Sequence, residues 1–248
     1  MADEATKKEE EAAPKRLLVV MAHPDDGEFS AGGTIARFAR EGYEVFYCVV
    51  TDGSVGSSDP EMTSEKLAAL RHDEHHAAAR TLGAKEALFL NYRDSMLEPT
   101  LELRRDITRL IRQVRPEVMI CQDPTVRWSG QGYINHPDHR AAGEATMAAI
   151  MPSSDTRLVF PELLKEGLEP HKIQELYLSG TQSPDRWIDI SETLELKIEA
   201  LRQHKSQLGD WEPAEEMKQW ASQNAETARK HGHDFKYAES FKHFRFRD

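Results

Sequence analysis

Short apolar runs alternate with amphipathic stretches through the first half of the chain, and this alternation restricts the folds open to it. Four runs rich in Val, Leu, Ile and aromatic residues predict buried strands, at residues 17–22, 44–51, 86–90 and 117–121. Between them, apolar residues that recur every three or four positions predict helices, at residues 29–41, 63–82 and 100–114. This order is typical of an α/β chain, so we expect a Rossmann-like, doubly wound, mostly parallel sheet with helices on both faces.

The second half of the chain has weaker patterns. They predict an apolar helix at 141–150, a strand at 175–180, a helix at 191–207 capped by Ser191, and a helix at 213–230. The 248 residues, 39% of them hydrophobic, are enough for one substantial core, so residues 16–248 are expected to form a single domain. Residues 1–15 are rich in charge and alanine without apolar periodicity, which predicts a disordered tail.

Charge and hydropathy argue against several kinds of partner. The formal net charge of -11 opposes binding to nucleic acid and to anionic membrane surfaces. No apolar run approaches the roughly 20 residues that a membrane-spanning helix needs, and the amino terminus lacks the apolar segment of a secretory signal. We therefore expect a soluble, cytoplasmic protein that acts on small molecules. The sequence leaves the oligomeric state open, and a homo-oligomer is compatible with it.

In a doubly wound sheet, ligands bind at the carboxyl ends of the strands, where the connecting loops meet. The first predicted strand runs directly into the segment HPDDGE, which brings His23, Asp25 and Asp26 to that edge. Two adjacent carboxylates and an imidazole at the end of a buried strand repel and desolvate one another unless a cation is present. This segment therefore favours a divalent metal site over simple capping of the following helix.

A second polar segment, HPDHR at residues 136–140, follows the fourth predicted strand and a long loop. Pro137 keeps His136 extended, while Asp138 and His139 fall in the first turn of the next helix. The two imidazoles can then point in different directions, so that one binds a metal while the other takes part in chemistry. A mixed set of His and Asp ligands with an open position is typical of catalytic rather than structural zinc.

Together these segments resemble the sugar-amide deacetylases related to the glycosylphosphatidylinositol-precursor deacetylase and to the LmbE-like proteins. The resemblance rests on HPDDGE and HPDHR, supported by RHDE at 71–74, YRDS at 92–95 and YAESF at 237–241. It covers most of residues 16–150 and recurs at the carboxyl end. YRDS is especially similar to the deacetylases and conjugate amidases of mycothiol metabolism. The domain at 16–248 is therefore expected to be an LmbE-like metallohydrolase.

The resemblance implies one Zn²⁺ per chain, held by His23, Asp26 and His139. It also implies that Asp25 is the general base and that His136 faces the substrate carbonyl, with Asp138 orienting it. Zinc lowers the pKa of bound water toward about 7, which lets a neighbouring carboxylate accept a proton at neutral pH. We expect His136 to be protonated, because Asp138 favours the charged imidazole, and to stabilise the oxyanion.

Three further residues are expected to contact the substrate. The resemblance places Arg71 near the substrate, where a guanidinium can bind sugar hydroxyls or a phosphate, and suggests that Asp94 accepts hydrogen bonds from sugar hydroxyls. Trp128 lies in a glycine-containing segment at 122–135 that suits a mobile lid, and is a candidate for stacking on a sugar face.

A solvated polar helix face is expected for three histidines that follow Arg71, namely His72, His75 and His76.

These features predict a zinc-dependent hydrolase that removes the acetyl group from an N-acetylglucosamine-type amide. An amidase that cleaves a larger thiol conjugate or another N-acyl compound would use the same metal and base, because leaving-group pockets are built by variable loops. A non-catalytic metal-binding or carbohydrate-binding protein is the third alternative. The presence of Asp25 beside three ligands argues against it.

Overall fold

The alternating pattern of the sequence folds into a seven-stranded sheet with helices packed on both faces. The computed structural model describes residues 14–246, so residues 1–13 of the predicted tail lie outside the described part of the chain. The strands β1 to β9 are Arg16–Met21, Glu44–Thr51, Glu86–Tyr92, Val118–Gln122, Trp128–Ser129, Tyr133–Ile134, Glu175–Ser179, Arg186–Asp189 and Ala238–Arg245. The helices α1 to α8 are Asp26–Arg40, Ser64–Thr81, Leu101–Val114, Pro137–Ala148, Glu162–Lys165, Leu194–Leu201, Lys205–Leu208 and Ala214–Lys230. Between residues 14 and 246, none of the helices is both long and apolar enough to cross a membrane.

The order of the strands opens a crevice at one edge of the sheet. The order is β3-β2-β1-β4-β7-β9-β8, and β5 pairs with β6 in a separate hairpin. Strands β1, β2, β3, β4 and β7 are parallel, whereas β9 is antiparallel to both β7 and β8. The chain order reverses between β1 and β4, which creates a ligand-sized crevice beyond the carboxyl ends of these two strands.

Both faces of the central strands are buried, which explains why their sequences are continuous apolar runs. Val19 and Met21 of β1 pack in one apolar layer with residues of α1, α2 and α6. Leu18 and Val20 point to the other face, into a layer formed with α3 and α4. The predicted α/β fold, a single domain with a doubly wound sheet and helices on both faces, is confirmed.

The last third of the chain differs most from the sequence prediction. The predicted helix at 191–207 is two helices, α6 and α7, and Thr193 rather than Ser191 precedes α6. The hydroxyl of Ser191 instead donates to Asp189 at 2.6 Å. The break falls at His204, whose side chain is fully buried and lies 3.7 Å from Glu28. A contact with a residue far away in the chain thus interrupts a locally helical pattern.

Strands β8 and β9 have no counterpart in the sequence prediction, because charged residues interrupt their apolar positions. Glu239 of β9 is only 2% exposed. Its carboxylate accepts hydrogen bonds from the backbone N–H groups of Gly33 and Thr34, at 3.1 and 2.8 Å, and from Lys197 at 2.6 Å. A charge paired in this way is stable in the interior. It joins β9 to α1 and α6.

Helix α4 packs closely on the end of β4 at Gly143. A Cβ atom at this position would lie 2.4 Å from the backbone oxygen of Gln122, which cannot move without shifting the strand. We expect Gly143→Ala to lower the free energy of unfolding by about 1–3 kcal/mol, the usual effect of overpacking. Chemical denaturation measures the change. Gly132→Ala is the control, because no heavy atom lies within 4 Å of its Cβ position; equal stability of the two variants would contradict the close contact.

Candidate active site

Two loops meet at the carboxyl ends of β1 and β4, and they carry both polar segments found in the sequence. His23 and Asp25 follow β1 directly, before α1 begins at Asp26. His136 immediately precedes α4, which begins with Pro137. Asp25 has a backbone φ of 95°, in the left-handed region that a residue with a side chain rarely adopts. Such strain is concentrated at functional sites.

The expected metal ligands form one cluster. Asp26 bridges two histidines: its Oδ2 lies 3.3 Å from Nδ1 of His23, and its Oδ1 lies 3.0 Å from Nε2 of His139. His136 joins them, because one ring nitrogen from each of the three histidines lies within 4.8 Å of the other two. These nitrogen and oxygen donors suit a divalent transition metal.

Two amide side chains hold Asp26 and His139 in place. Gln122 donates from Nε2 to Asp26 at 3.0 Å, and its Oε1 accepts from the backbone N–H of Ala22 at 3.0 Å. Oδ1 of Asn135 lies 3.0 Å from Nδ1 of His139, so Nδ1 donates to it and Nε2 is directed toward Asp26. Neither amide had a predicted role, although Gln122 stands at the end of β4.

The imidazole of His23 is held from its other side by two carboxylates. Its Nε2 lies 3.2 Å from Asp94 and 3.3 Å from Asp138, which leaves Nδ1 directed toward Asp26. Histidines that bind metals commonly donate their second ring N–H to a carboxylate or carbonyl in this way. Both expected histidine ligands therefore have the partner that a metal site needs, and the donor set fits a metal.

The side chain of Asp138, predicted to orient His136, has closer partners than His136. Its carboxylate is fully buried, accepts from the backbone N–H of Ser95 at 2.7 Å, and lies 3.8 Å from Nδ1 of His136. Instead, the backbone N–H of Asp138 donates to Nδ1 of His136 at 3.2 Å, which places the ring proton on Nε2. Burial and the nearby His23 lower the pKa of His136. The geometry thus favours a neutral hydrogen-bond donor over the expected imidazolium.

Burial and neighbouring charges shift the pKa values of the cluster strongly. Burial alone would lower the pKa of His23, but the carboxylates around it, Asp26 first, raise it to about 12. Burial would raise the pKa of Asp26, but His139 and His23 hold it well below its ordinary value. At neutral pH, His23 therefore holds a proton that metal binding must displace.

Arg71 lies beneath the expected general base. Only 4% of its surface is exposed. Its Nη2 donates to Asp25 at 3.3 Å and to the Pro24 carbonyl at 2.7 Å, and its Nη1 donates to the Gly53 carbonyl at 3.1 Å. Burial raises the pKa of Asp25 to about 7, against the opposing charge of Arg71. A carboxylate with a pKa near the working pH is suited to general base catalysis.

Two cavities meet at Asp26 and His139, which line both of them. The polar cavity has a volume of about 340 Å³ and is lined by charged and polar side chains that include His23, Asp25, Arg71, Asp94, Ser95 and His136. The apolar cavity has a volume of about 610 Å³, and its wall includes Phe29, Val126, Tyr133 and Trp220. Of the residues predicted to contact substrate, Arg71 and Asp94 face the polar cavity. Trp128, which is 62% exposed, lines neither cavity.

Helix α2 carries a buried polar face where the sequence analysis expected a solvated one. His75 is fully buried, and one ligand-type atom from each of Glu28, His75 and His204 lies within 4.8 Å of the others. The Tyr47 hydroxyl donates to Glu28 at 2.8 Å. Burial lowers the pKa of His75 to about 4. Burial also acts to lower the pKa of His204, but the adjacent Glu28 carboxylate outweighs it, so the pKa of His204 is raised. The solvated-face prediction is wrong for His75 because its ring packs against the sheet, with centroid distances of 4.4 Å to Tyr47 of β2 and 5.3 Å to Phe89 of β3. The neighbouring Glu74 is also covered, since Ser206 of α7 donates to it at 2.7 Å.

The comparisons with known proteins agree with the motif segments. The PIG-L family model, GlcNAc-PI de-N-acetylase, matches residues 18–150. The chain belongs to this family, which confirms the resemblance identified from HPDDGE and HPDHR. Diacetylchitobiose deacetylase from Thermococcus kodakarensis is 35% identical over 204 residues, which cover 80% of this chain and 74% of the relative.

Two further proteins extend the comparison. The 1D-myo-inositol 2-acetamido-2-deoxy-alpha-D-glucopyranoside deacetylase of Actinosynnema mirum is 30% identical over 247 residues, covering 81% of this chain and 83% of the relative. The solved N,N'-diacetylchitobiose deacetylase from Pyrococcus horikoshii, complexed with its inhibitor MPG, matches with a TM-score of 0.84 and 33% identity. That match covers 94% of this chain and 85% of the other. The similarity therefore includes the last third of the chain, beyond the family model.

Metal binding should tighten as the pH rises, because His23 must lose a proton before it can bind a metal. The neighbouring carboxylates stabilise the protonated imidazole. We expect the apparent affinity for Zn²⁺ to increase about 10-fold per pH unit between about pH 6 and pH 7.5, the dependence for one released proton. Isothermal titration calorimetry in two buffers of different ionisation enthalpy measures the proton release. A constant affinity over this range would show that the metal does not compete with the proton on His23.

Proposed function

We propose that this protein is a zinc-dependent hydrolase that removes the acetyl group from an N-acetylglucosamine-type amide. The observation that carries the proposal is the cluster in which Asp26 lies between His23 and His139, with Asp25 beside it. Membership of the PIG-L family and the similarity to two sugar deacetylases support the type of reaction. The substrate would be a small N-acylated sugar or sugar conjugate.

His23, Asp26 and His139 would hold one Zn²⁺ per chain. Three protein ligands leave a position open for chemistry, as in other catalytic zinc sites. When bound, zinc lowers the pKa of water toward about 7 and polarises a carbonyl group. The hydrogen bonds from Gln122 to Asp26 and between Asn135 and His139 would keep the ligands in place as the substrate enters.

Asp25 is proposed as the general base. Arg71 holds its carboxylate at 3.3 Å, and its pKa of about 7 lets it both accept and return a proton near neutral pH. It would take the proton from the water that attacks the acyl carbon. As the C–N bond breaks, it would pass that proton to the amine nitrogen, so that the products are a carboxylate and a free amino sugar.

His136 is proposed to bind the carbonyl oxygen as negative charge develops on it. Its Nδ1 accepts from the backbone N–H of Asp138, so the neutral ring donates through Nε2. Its side chain is 35% exposed and lines the polar cavity, where a substrate can reach it. A single hydrogen bond of this kind typically contributes about 10²–10³-fold to the rate.

The sugar is proposed to bind in the polar cavity. Arg71 and Asp94 line it, and both are groups that bind hydroxyls, although their present partners are protein groups. Trp128 is left out of this binding site because its ring is exposed and lines neither cavity. An amidase for a larger N-acyl compound would use the same catalytic groups, and it would need space beside them of the kind that the apolar cavity offers.

His139→Ala should reduce the zinc content from about one per chain to a small fraction, because it removes one of three ligands. Elemental analysis of purified protein measures the zinc, and acetate release from N-acetylglucosamine and N,N'-diacetylchitobiose measures activity. His231→Ala is the control, since this histidine is exposed and lines neither cavity. Full zinc occupancy in His139→Ala would remove His139 from the ligand set.

Asp25→Asn should keep the fold and the zinc but lower kcat by about 10²–10⁴-fold, because an amide cannot accept a proton from water. Steady-state kinetics and elemental analysis on the same preparation separate the two effects. Asp59→Asn, at an exposed position, controls for the loss of one negative charge. If Asp25→Asn loses its zinc instead, Asp25 is a ligand rather than the base. If the wild-type protein binds zinc and sugar but releases no acetate, the non-catalytic alternative is correct.

A further inference from the structure

The apolar cavity is far larger than the hydrolysis of an acetyl group requires. An acetyl group extends only one methyl carbon beyond its carbonyl. The cavity has a volume of about 610 Å³, within the range of about 300–1,000 Å³ that accommodates drug-sized ligands. Phe29, Val126, Tyr133 and Trp220 contribute aromatic and aliphatic surface to its wall.

This cavity reaches the catalytic cluster directly. Asp26 and His139 line both this cavity and the polar cavity. The bond to be cleaved must therefore lie where the two cavities meet. A trans amide places its two substituents on opposite sides of the C–N bond. The sugar and the acyl chain of one substrate would therefore leave the junction in different directions, one into each cavity.

The chemistry of the two walls decides which substituent enters which cavity. Arg71 and Asp94 of the polar cavity match sugar hydroxyls, whereas Phe29 and Trp220 match an apolar chain. The polar cavity is also bordered by Asp25, which must reach the amine nitrogen carried by the sugar. The sugar is thus assigned to the polar cavity and the acyl chain to the apolar one.

Three polar side chains in the wall of the apolar cavity have protein partners, whereas the Ser179 hydroxyl has none. Gln122 donates to Asp26, and Asn135 contacts His139 at 3.0 Å. Asp123 accepts from the hydroxyl and the backbone N–H of Thr125, at 2.6 and 2.9 Å. Most of the surface that faces this cavity is nevertheless apolar, so its aromatic and aliphatic side chains would make most of the contacts with a ligand.

We propose that the apolar cavity is an acyl-binding site, and that this enzyme hydrolyses N-acyl sugars whose acyl group is longer than acetyl. The inference rests on the proposed function, because it uses the same metal cluster and the same base. Water adds to the acyl carbon and the C–N bond breaks. The acyl chain leaves as a carboxylate, the sugar leaves as an amine, and no other reactant is needed.

The test is a series of N-acetyl, N-butyryl and N-hexanoyl derivatives of glucosamine and of chitobiose. Free amine is the product common to all of them, and its formation gives kcat/KM. Each CH₂ group that enters the cavity should raise kcat/KM by about 4-fold. If acetyl substrates are cleaved and longer chains are cleaved more slowly, this inference is wrong while the proposed function stands. If none of the series is cleaved, the proposed function itself fails.

Variants at Trp220 test the location of the chain. Trp220 is 43% exposed, so its replacement leaves the core intact. Trp220→Ala should reduce the ratio of hexanoyl to acetyl kcat/KM by about 10-fold, because it removes part of the apolar wall. Trp220→Phe should largely keep that ratio, and Leu158→Ala, at a residue 87% exposed that lines neither cavity, should not change it.

Two results with these variants would overturn the assignment. One is a chain-length preference that Trp220→Ala leaves unchanged, which would place the acyl chain elsewhere. The other is a loss of activity on N,N'-diacetylchitobiose relative to N-acetylglucosamine in Trp220→Ala, with the chain-length ratio preserved. In that case the cavity holds a second sugar, stacked on the indole ring, rather than an acyl chain.

Discussion

The carboxylate of Asp26 is the constraint around which the site is arranged. A buried carboxylate is stable only when it is paired and hydrogen-bonded. Here His23 and His139 lie 3.3 and 3.0 Å away, and Gln122 donates to it at 3.0 Å. These partners follow β1, end β4 and belong to α4, so the cluster exists only when two strands and a helix are docked together. The site is therefore complete only in the folded sheet.

Support for this cluster comes from parts of the chain that are distant in sequence. Glu239 in β9 accepts hydrogen bonds from backbone N–H groups of α1, the helix that begins with Asp26. Its ion pair with Lys197 lets the charge remain buried. This contact gives a physical role to the carboxyl-terminal segment YAESF, whose resemblance to the deacetylase family had no structural explanation in the sequence.

Much of the site was predictable because its parts follow strands. His23 and Asp26 come directly after an apolar run, and parallel strands end at the same edge of a sheet, so their proximity to His139 followed from the fold class. The roles of Asp138 and His75 were not predictable in this way. The carboxylate of Asp138 lies closer to His23 than to its neighbour His136, at 3.3 and 3.8 Å, and His75 is covered by elements that no pattern within α2 reveals.

The sequence by itself determined the order of helices and strands, the edge of the sheet where chemistry occurs, and the residue types gathered there. Periodicity, turn residues and motifs are local properties of the sequence, so they can be recognised without knowledge of the fold. The tertiary structure alone decided which carboxylate faces which imidazole, and it alone created the two cavities that share Asp26 and His139. The contact between His23 and Asp138 spans 115 positions in the chain. Hydrogen bonds and burial act over a few ångströms, so only the docked elements determine which of the available groups are close enough to interact.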